Sequence, residues 1–144
     1  MATTPPVFGQ LNIVVADMSA SVAFYRRLGL EVDDTGPWAT QHVEIAMPNG
    51  FSIDLDAVEF ARRWDAGWHG HAGPGRNVIG FHVASRAAVD EVYADVTVAG
   101  YVGQQPPYDA FWGARYAIVE DPDGNPIGIM SPRDPSRRSA PPSP

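Results

Sequence analysis

The pattern of hydrophobic and polar positions predicts a β-α-β-β-β module in the first part of the chain. Alternating or β-branched segments indicate strands, and apolar residues spaced three to four apart indicate a helix. Asp17 and Ser19 stand where a helix N-cap is favoured, Gly29 where a helix ends, and Asn49-Gly50 is typical of a tight turn. The predicted elements are a strand at 11–15, a helix that includes Val22, Phe24, Tyr25 and Leu28, a strand that begins at 30–32, and strands at 41–47 and 51–55.

The same order of elements returns in the second half of the chain. Ser85 lies 68 positions after Asp17, and Asp123, in a second tight turn, lies 74 positions after Asn49. The second module is therefore six residues longer, and we assign the difference to a loop insertion at 105–107. Its predicted elements are a strand at 78–83, a helix that includes Ala88, Val89, Val92 and Tyr93 and ends near Gly100, a strand that begins at 101–102, and strands at 114–119 and 127–130. The repetition indicates an internal duplication.

The connector between the modules carries its own helical pattern. Ala57, Phe60, Ala61 and Trp64 recur at helical spacing, so we expect a short amphipathic helix with Trp64 in the core. The proline-rich ends lack apolar periodicity and do not bury enough surface to offset the entropy of ordering. The predicted division is a flexible N-terminus (1–7), module one (8–56), a connector (57–76), module two (77–131) and a disordered Pro/Arg/Ser tail (132–144), with both modules in one domain.

Composition excludes several classes of chemistry. The chain of 144 residues has no cysteine and no lysine. Disulfides, zinc ribbons, thiolate nucleophiles and catalytic lysines are therefore excluded. The net charge of −7 argues against a nucleic-acid or anionic-membrane partner. No apolar run reaches the roughly 20 residues that span a bilayer, and residues 1–6 lack a signal-peptide pattern, so we expect a soluble, cytoplasmic protein.

Four motifs stand at matching places of the duplicated pattern. They are 11–18, 21–28 with its Phe24-Tyr25 pair, Trp112-Gly113 and 121–126. Over residues 8–131 the chain resembles the vicinal oxygen chelate superfamily, which includes glyoxalase I, extradiol dioxygenases and bleomycin-resistance proteins. The resemblance implies an α+β fold in which two tandem β-α-β-β-β modules form a curved-sheet cavity, often within a homodimer. It does not specify an activity, because one fold hosts many functions.

The resemblance also implies where a metal would bind. Metalloenzymes of the superfamily place two ligands in each module, one near the start of the first strand and one on the last strand. Those positions hold Gln10 and Asp54 in module one but Val78 and Gly128 in module two. Because valine and glycine have no donor side chain, we expect no metal cofactor. The alternative is a divalent metal held by Gln10 and Asp54, with further ligands from a substrate or a second chain.

Strand alternation predicts which side chains face the cavity. The set mixes apolar and hydrogen-bonding groups, which suits an organic ligand with aromatic rings and polar substituents. Within it, His42, Glu44 and His82 are candidates for proton transfer, with the alternative that the histidines only line the wall. The cavity-facing set is Gln10, Asn12, Val14, His42, Glu44, Asp54, Gly80, His82, Tyr116, Ile118 and Met130.

Tryptophans outside the strands are the candidates for stacking on a flat ligand. We expect Trp38 and Trp68 to do so, whereas Trp112 is either a stacking residue or a residue needed for the fold. The predicted ligand contacts are Asn12, Trp38, His42, Glu44, Asp54, Trp68, His82, Trp112, Tyr116 and Met130.

These observations leave several functions open. The first is metal-independent binding of a small aromatic molecule, similar to the drug sequestration that confers resistance to bleomycin. The second is a metal-dependent lyase or dioxygenase of the glyoxalase type with an atypical site. The third is a metal-free acid–base enzyme, and a protein that only mediates interactions is the remaining alternative. We expect a small-molecule ligand, no nucleic-acid or membrane partner, and a homodimer.

Overall fold

The structure, a computed structural model, describes residues 8–66, 70 and 77–141. It divides the chain into two compact units, Met1–His71 and Ala72–Pro144, and the division falls inside the predicted connector. Each unit combines a small sheet with helices, which confirms the α+β class. Across the described residues, every helix is too short or too polar to pass through a bilayer.

The first unit contains a three-stranded sheet. Its elements are β1 (Gln10–Val15), α1 (Met18–Arg27), β2 (His42–Ala46), β3 (Ser52–Ala57) and α2 (Val58–Trp64). The strand order is β1-β3-β2, with β3 parallel to β1 and antiparallel to β2. In the register of these pairs, Asp54 of β3 lies between Asn12 of β1 and Glu44 of β2. The central strand β3 therefore carries the residues that meet both neighbours.

One face of this sheet forms the core of the first unit. Val43, Ile45 and Leu55 are at most 2% exposed. Helix α1 packs against β3 and buries Phe24 and Tyr25 completely. Because successive strand residues point to opposite faces, the polar residues between these apolar ones lie on the other face. The alternation in the sequence thus predicted the sidedness of the sheet correctly.

The predicted strand at 30–32 does not form. The side chain of Arg26 takes the place of a neighbouring strand, because its guanidinium donates a 2.7 Å hydrogen bond to the carbonyl oxygen of Val32. The same guanidinium pairs with Asp34 at 2.6 Å. Val32 is buried, as its apolar side chain predicts. Its carbonyl oxygen, however, accepts from the Arg26 side chain and not from the backbone of a neighbouring strand. The order in the first unit is therefore β-α-β-β, followed by α2.

The second unit has the predicted order β-α-β-β-β. Its elements are β4 (Ile79–His82), α3 (Arg86–Val98), β5 (Gly103–Asp109), β6 (Arg115–Glu120), β7 (Pro126–Met130) and a short 3₁₀ helix (Pro135–Arg137). The sheet has the order β4-β7-β6-β5, and α3 packs against β5, β6 and β7. Strands β4 and β7 are parallel, as β1 and β3 are in the first unit.

The predicted loop insertion at 105–107 lies inside an edge strand instead. Strand β5 pairs with β6, but the register shifts between Gly103 and Gln105 and again between Gln105 and Tyr108. Proline has no N–H to donate to a ladder and is tolerated mainly at edges and irregularities. Each shift accommodates one extra residue of β5, so two of the six additional residues lie in this irregular pairing.

The predicted helix ends are confirmed in both units. The Asp17 carboxylate accepts a 2.9 Å hydrogen bond from the N–H of Ala20, and the Ser85 hydroxyl accepts one of 3.1 Å from Ala88. Gly29 follows the end of α1 with a φ of 108°, a conformation that favours glycine. Local side chains thus determine where these helices begin and end.

Helix α2 forms as predicted, but Trp64 is not a core residue. Ala61 is fully buried, whereas Trp64 is 50% exposed. The helix has only seven residues, and it contacts β1 and β3. A helix of two turns has room for few buried positions, and Ala61 occupies one of them.

Residues 132–141, which we call the C-terminal segment, are ordered, although the sequence predicts a disordered tail there. The N–H of Asp134 donates to the carbonyl oxygen of Gly113 at 3.0 Å, and the N–H of Ser139 donates to that of Phe111 at 2.9 Å. The Asp134 carboxylate caps the 3₁₀ helix by accepting from the N–H of Ser136. Composition gives no sign of this order, because it comes from backbone hydrogen bonds to a distant loop.

Candidate functional site

The first unit presents a polar face on the side of its sheet opposite to the core. Its six members are Gln10, Asn12, His42, Glu44, Asp54 and Asp56. In the register, Asn12, Asp54 and Glu44 form one row across the sheet, and Asp56 lies beside His42 in the next. All six side chains come from β1, β2 and β3, so their relative positions are fixed by the ladder.

His42 and Asp56 form a hydrogen-bonded pair on the polar face. The Nδ1 atom of His42 lies 2.7 Å from a carboxylate oxygen of Asp56, which is fully buried. The amide of Asn12 donates to the other carboxylate oxygen at 2.8 Å. The His42 ring also lies 5.4 Å from that of Phe60 on α2, centroid to centroid. The imidazole is therefore held in place from two sides.

This pairing has a chemical consequence for His42. An ionised carboxylate only accepts hydrogen bonds, so the neutral imidazole carries its proton on Nδ1 and leaves the lone pair on Nε2. The His42 side chain remains 31% exposed. The arrangement gives a half-buried base whose tautomer is determined by a buried acid.

Asp54 is the second buried carboxylate of the polar face. It is 7% exposed, and one of its oxygens is buried without a hydrogen-bond partner among the described residues. The other oxygen accepts a long 3.4 Å hydrogen bond from the amide of Gln10, which also donates to Asn12 at 2.9 Å. Buried polar atoms are nearly always satisfied in folded proteins, and none of the described protein groups satisfies this oxygen.

The second unit contains a cavity of about 310 Å³, which we call the aromatic pocket. Its lining residues are Val78, Gly80, His82, Trp112, Tyr116, Met130 and Arg133. Strands β4, β6 and β7 supply the wall, the loop before β6 supplies Trp112, and the C-terminal segment supplies Arg133. The lining combines apolar surface with a few hydrogen-bonding groups, as is usual in binding sites for small molecules.

Trp112 is held in a fixed orientation beside this pocket. Its indole N–H donates to the sulfur of Met130 at 3.3 Å. Its ring meets those of Phe111, Tyr108 and Tyr116 edge to face, with centroid distances of 5.1, 6.4 and 5.3 Å. Such contacts restrain the ring before a ligand arrives, so less ordering entropy is lost on binding.

Tyr116 contributes a neutral phenol to the pocket. Burial raises the pKa of its hydroxyl above the ordinary value, and the neighbouring Tyr108 adds to the increase. The phenol therefore stays protonated at neutral pH and is able to donate a hydrogen bond. Gly128 makes room for it: a Cβ atom at that position would lie 2.7 Å from the Tyr116 oxygen.

A second cavity, of about 440 Å³, lies in the first unit beside the start of α1. Its lining residues are Ala16, Asp17, Met18, Ser19, Val22, Asp34, Ala39 and Thr40. Its two carboxylates are already engaged, Asp17 as the cap of α1 and Asp34 in the pair with Arg26. The aromatic pocket, which offers ring surfaces and a cation, is the better candidate for ligand binding.

Comparison with models of protein families shows to which family the chain belongs. The model of the Glyoxalase/Bleomycin resistance protein/Dioxygenase superfamily matches residues 7–129. The chain belongs to this superfamily. The resemblance found in the sequence is thereby confirmed, and with it the expected class of fold.

Several solved structures share the fold of the chain. A hypothetical protein from S. aureus has a TM-score of 0.73 at 21% identity, with 91% of this chain and 96% of that chain covered. A glyoxalase-related enzyme from Fulvimarina pelagi has a TM-score of 0.75 at 21% identity, with 88% of each chain covered. A lactoylglutathione lyase from Agrobacterium tumefaciens has a TM-score of 0.66 at 23% identity, with 88% and 94% covered. No protein with a curated description matches the chain.

The metal site of the glyoxalase superfamily does not fit the residues present. In the second unit, Val78 and Gly128 occupy the two ligand positions, and the hydroxyl of Tyr116 fills the space over Gly128. Within the described residues, no three His, Asp or Glu side chains come together in a group able to hold a metal ion. Gln10 and Asp54 alone provide fewer than the three protein ligands that metal sites normally have.

The structure distributes the predicted ligand contacts over the two units. Trp38 is 63% exposed and lines neither of the two cavities. Trp68 lies outside the described residues. Asn12, His42, Glu44 and Asp54 belong to the polar face, and His82, Trp112, Tyr116 and Met130 line the aromatic pocket.

Sequence reasoning missed two residues of these sites. Asp56 follows Asp54 by two positions on β3, so strand alternation was a sufficient signal for it, but the predicted strand ended at Leu55, two residues before the end of β3. Arg133 had no such signal, because it lies in a segment without periodicity. Its place at the pocket depends on how the C-terminal segment docks.

Proposed function

We propose that the protein binds a small aromatic molecule in the aromatic pocket without a metal ion, and thereby sequesters a drug or metabolite. The observation that carries the proposal is the pocket of about 310 Å³ with Trp112 and Tyr116 in its wall. This volume lies within the usual range for small-molecule sites, roughly 300–1,000 Å³. Held ring surfaces favour a flat ligand, since stacking then costs little entropy.

Metal independence is supported by the residues at the superfamily's ligand positions. A carboxylate or imidazole at position 128 would collide with Tyr116, whose hydroxyl lies 2.7 Å from where a Cβ would be. Restoring the metal ligand would therefore require a rearrangement of the pocket wall. The local packing has adapted to a glycine at this position.

The proposal predicts a binding site that depends on Trp112. In calorimetric titrations with a panel of aromatic antibiotics and metabolites, we expect at least one compound with a Kd below about 100 μM, roughly −5.5 kcal/mol. Trp112→Leu should weaken that binding at least tenfold, because it removes the held ring. Trp38→Leu is the matched control, since Trp38 is exposed and lies away from the pocket. A chelator should leave the affinity unchanged.

Two results would contradict this function. One is the failure of every compound in the panel to bind more tightly than about 100 μM. The other is binding that disappears with a chelator and returns with zinc, nickel or iron, which would point to the metal-dependent alternative.

A second candidate function, proton transfer, is favoured by the His42–Asp56 pair. A buried carboxylate that holds Nδ1 of a half-exposed histidine is an arrangement suited to a general base. We expect the protein to catalyse the exchange of the α-hydrogens of an aromatic ketone, such as acetophenone, for deuterium from D2O. NMR measures the rate of this exchange. His42→Gln should abolish the enzyme-dependent exchange, whereas His82→Gln should preserve it. Equal exchange rates with the wild type and His42→Gln would remove this candidate.

A further inference from the structure

We infer that Arg133 makes the aromatic pocket selective for an aromatic ligand that carries an anionic group, a carboxylate or a phosphate. The inference rests on the proposed function, since it names the class of ligand for the same pocket. Three observations support it: the pairing of the arginines, the docking of the C-terminal segment and the charge of the pocket lining.

Arg133 differs from most of the described arginines of the second unit in its pairing. Arg86, Arg115 and Arg137 each form an ion pair with an aspartate. Arg133 has no hydrogen bond or ion pair with any described residue, and it lines the pocket. A guanidinium without an internal partner keeps all of its donors available for a ligand.

The C-terminal segment ties Arg133 to the loop that carries Trp112. The N–H of Asp134, the residue after Arg133, donates to the carbonyl oxygen of Gly113, the residue after Trp112. A second backbone hydrogen bond joins Ser139 to Phe111 on the other side of the tryptophan. The stacking ring and the cation are therefore held on two segments that are bonded to each other.

The charge of the lining also favours an anion. Arg133 is a permanent cation, and none of the described residues that line the pocket is acidic. The whole protein carries a net charge of −7, so an anionic ligand needs a local cation to be accepted. Guanidinium groups bind carboxylates and phosphates through two parallel, charge-assisted hydrogen bonds. A ligand whose flat ring stacks on Trp112 and whose anionic group binds Arg133 uses both the aromatic and the cationic part of the pocket.

The test compares matched ligands that differ only in charge. In calorimetric titrations of the full chain with 2-naphthoate and 2-naphthamide, we expect the carboxylate to bind at least tenfold more tightly. Arg133→Gln should weaken the binding of 2-naphthoate about tenfold and change that of 2-naphthamide less than twofold. Arg138→Gln is the control, because Arg138 lies on the same segment but not in the pocket lining. A parallel titration with 2-naphthyl phosphate identifies which anion is preferred.

The outcomes separate this inference from the proposed function. If the wild type binds both naphthalene compounds equally, or Arg133→Gln affects both equally, the selectivity assigned to Arg133 is wrong and pocket binding stands. If 2-naphthoate and 2-naphthamide bind to Trp112→Leu as tightly as to the wild type, the pocket itself is not the site and both proposals fall. If neither naphthalene compound binds to the wild type, the ligand class assigned through Arg133 is wrong, and the wider panel of compounds decides the proposed function.

Discussion

We expect Gly113→Ala to lower the free energy of unfolding, measured by urea denaturation, by about 3 kcal/mol. Gly113 has a φ of 92°, where an L-residue costs roughly 1–2 kcal/mol. In addition, a Cβ atom at this position would lie 2.4 Å from the carbonyl oxygen of Asp134. That oxygen belongs to the backbone and has little freedom to move, so overpacking adds a further cost of about 1–3 kcal/mol.

Gly100→Ala is the control for the backbone part of this effect. Gly100 has a similar φ of 100°, but a Cβ atom there would meet nothing within 4 Å. We expect this variant to lose only about 1 kcal/mol, which is the cost of the left-handed conformation alone. Equal losses in both variants would show that the C-terminal segment does not pack on the loop at Gly113. The positioning of Arg133 would then be wrong as well.

We expect Asp56→Ala to lower the free energy of unfolding by about 2 kcal/mol. The substitution removes a buried carboxylate that accepts from both Asn12 and His42. Each hydrogen bond to a charged group contributes about 1.5–3 kcal/mol. Both donors here are partly exposed and regain water in the variant, so we expect a loss below the sum of the two bonds. Chemical denaturation followed by circular dichroism measures the change.

Glu44→Ala is the matched control on the same face. Glu44 is an exposed carboxylate in the row next to Asp56, so its removal should change the stability by less than about 0.5 kcal/mol. A double-mutant cycle of Asp56→Ala with His42→Ala then isolates the pair, and we expect a coupling energy of about 1 kcal/mol. Additive effects of the two substitutions would mean that His42 is not held by Asp56, which would also weaken the proton-transfer candidate.

The two candidate sites differ in how they are built. The polar face consists of strand residues whose spacing follows the ladder, as with Asp54 between Asn12 and Glu44. The aromatic pocket instead combines strand residues with Trp112 from a loop and Arg133 from the C-terminal segment. The first kind of site is largely predictable from alternation, whereas the second depends on how loops and chain ends dock.

The homodimer expected from the resemblance stays a prediction.

Two of the incorrect predictions, the strand at 30–32 and the disordered tail, share one cause. Val32 was assigned to a strand because it is apolar, and it is indeed buried, but Arg26 satisfies its carbonyl group. The segment 132–141 was assigned to disorder because it lacks apolar periodicity, but it is held by backbone hydrogen bonds. In both cases the apolar pattern did not indicate which group would hydrogen-bond to the backbone. That group is the Arg26 side chain for Val32 and the loop at Phe111 and Gly113 for the segment 132–141.

The sequence by itself determined the duplicated α+β pattern, the helix ends and the absence of metal-binding side chains at Val78 and Gly128. These features depend on residue types and on neighbours a few positions apart, so periodicity and side-chain chemistry are sufficient to predict them. Only the tertiary structure decided that Asp56 holds His42 and that Arg133 reaches the pocket with Trp112. Such contacts join residues distant in the sequence, and they form only when the packing of whole segments brings their backbones together.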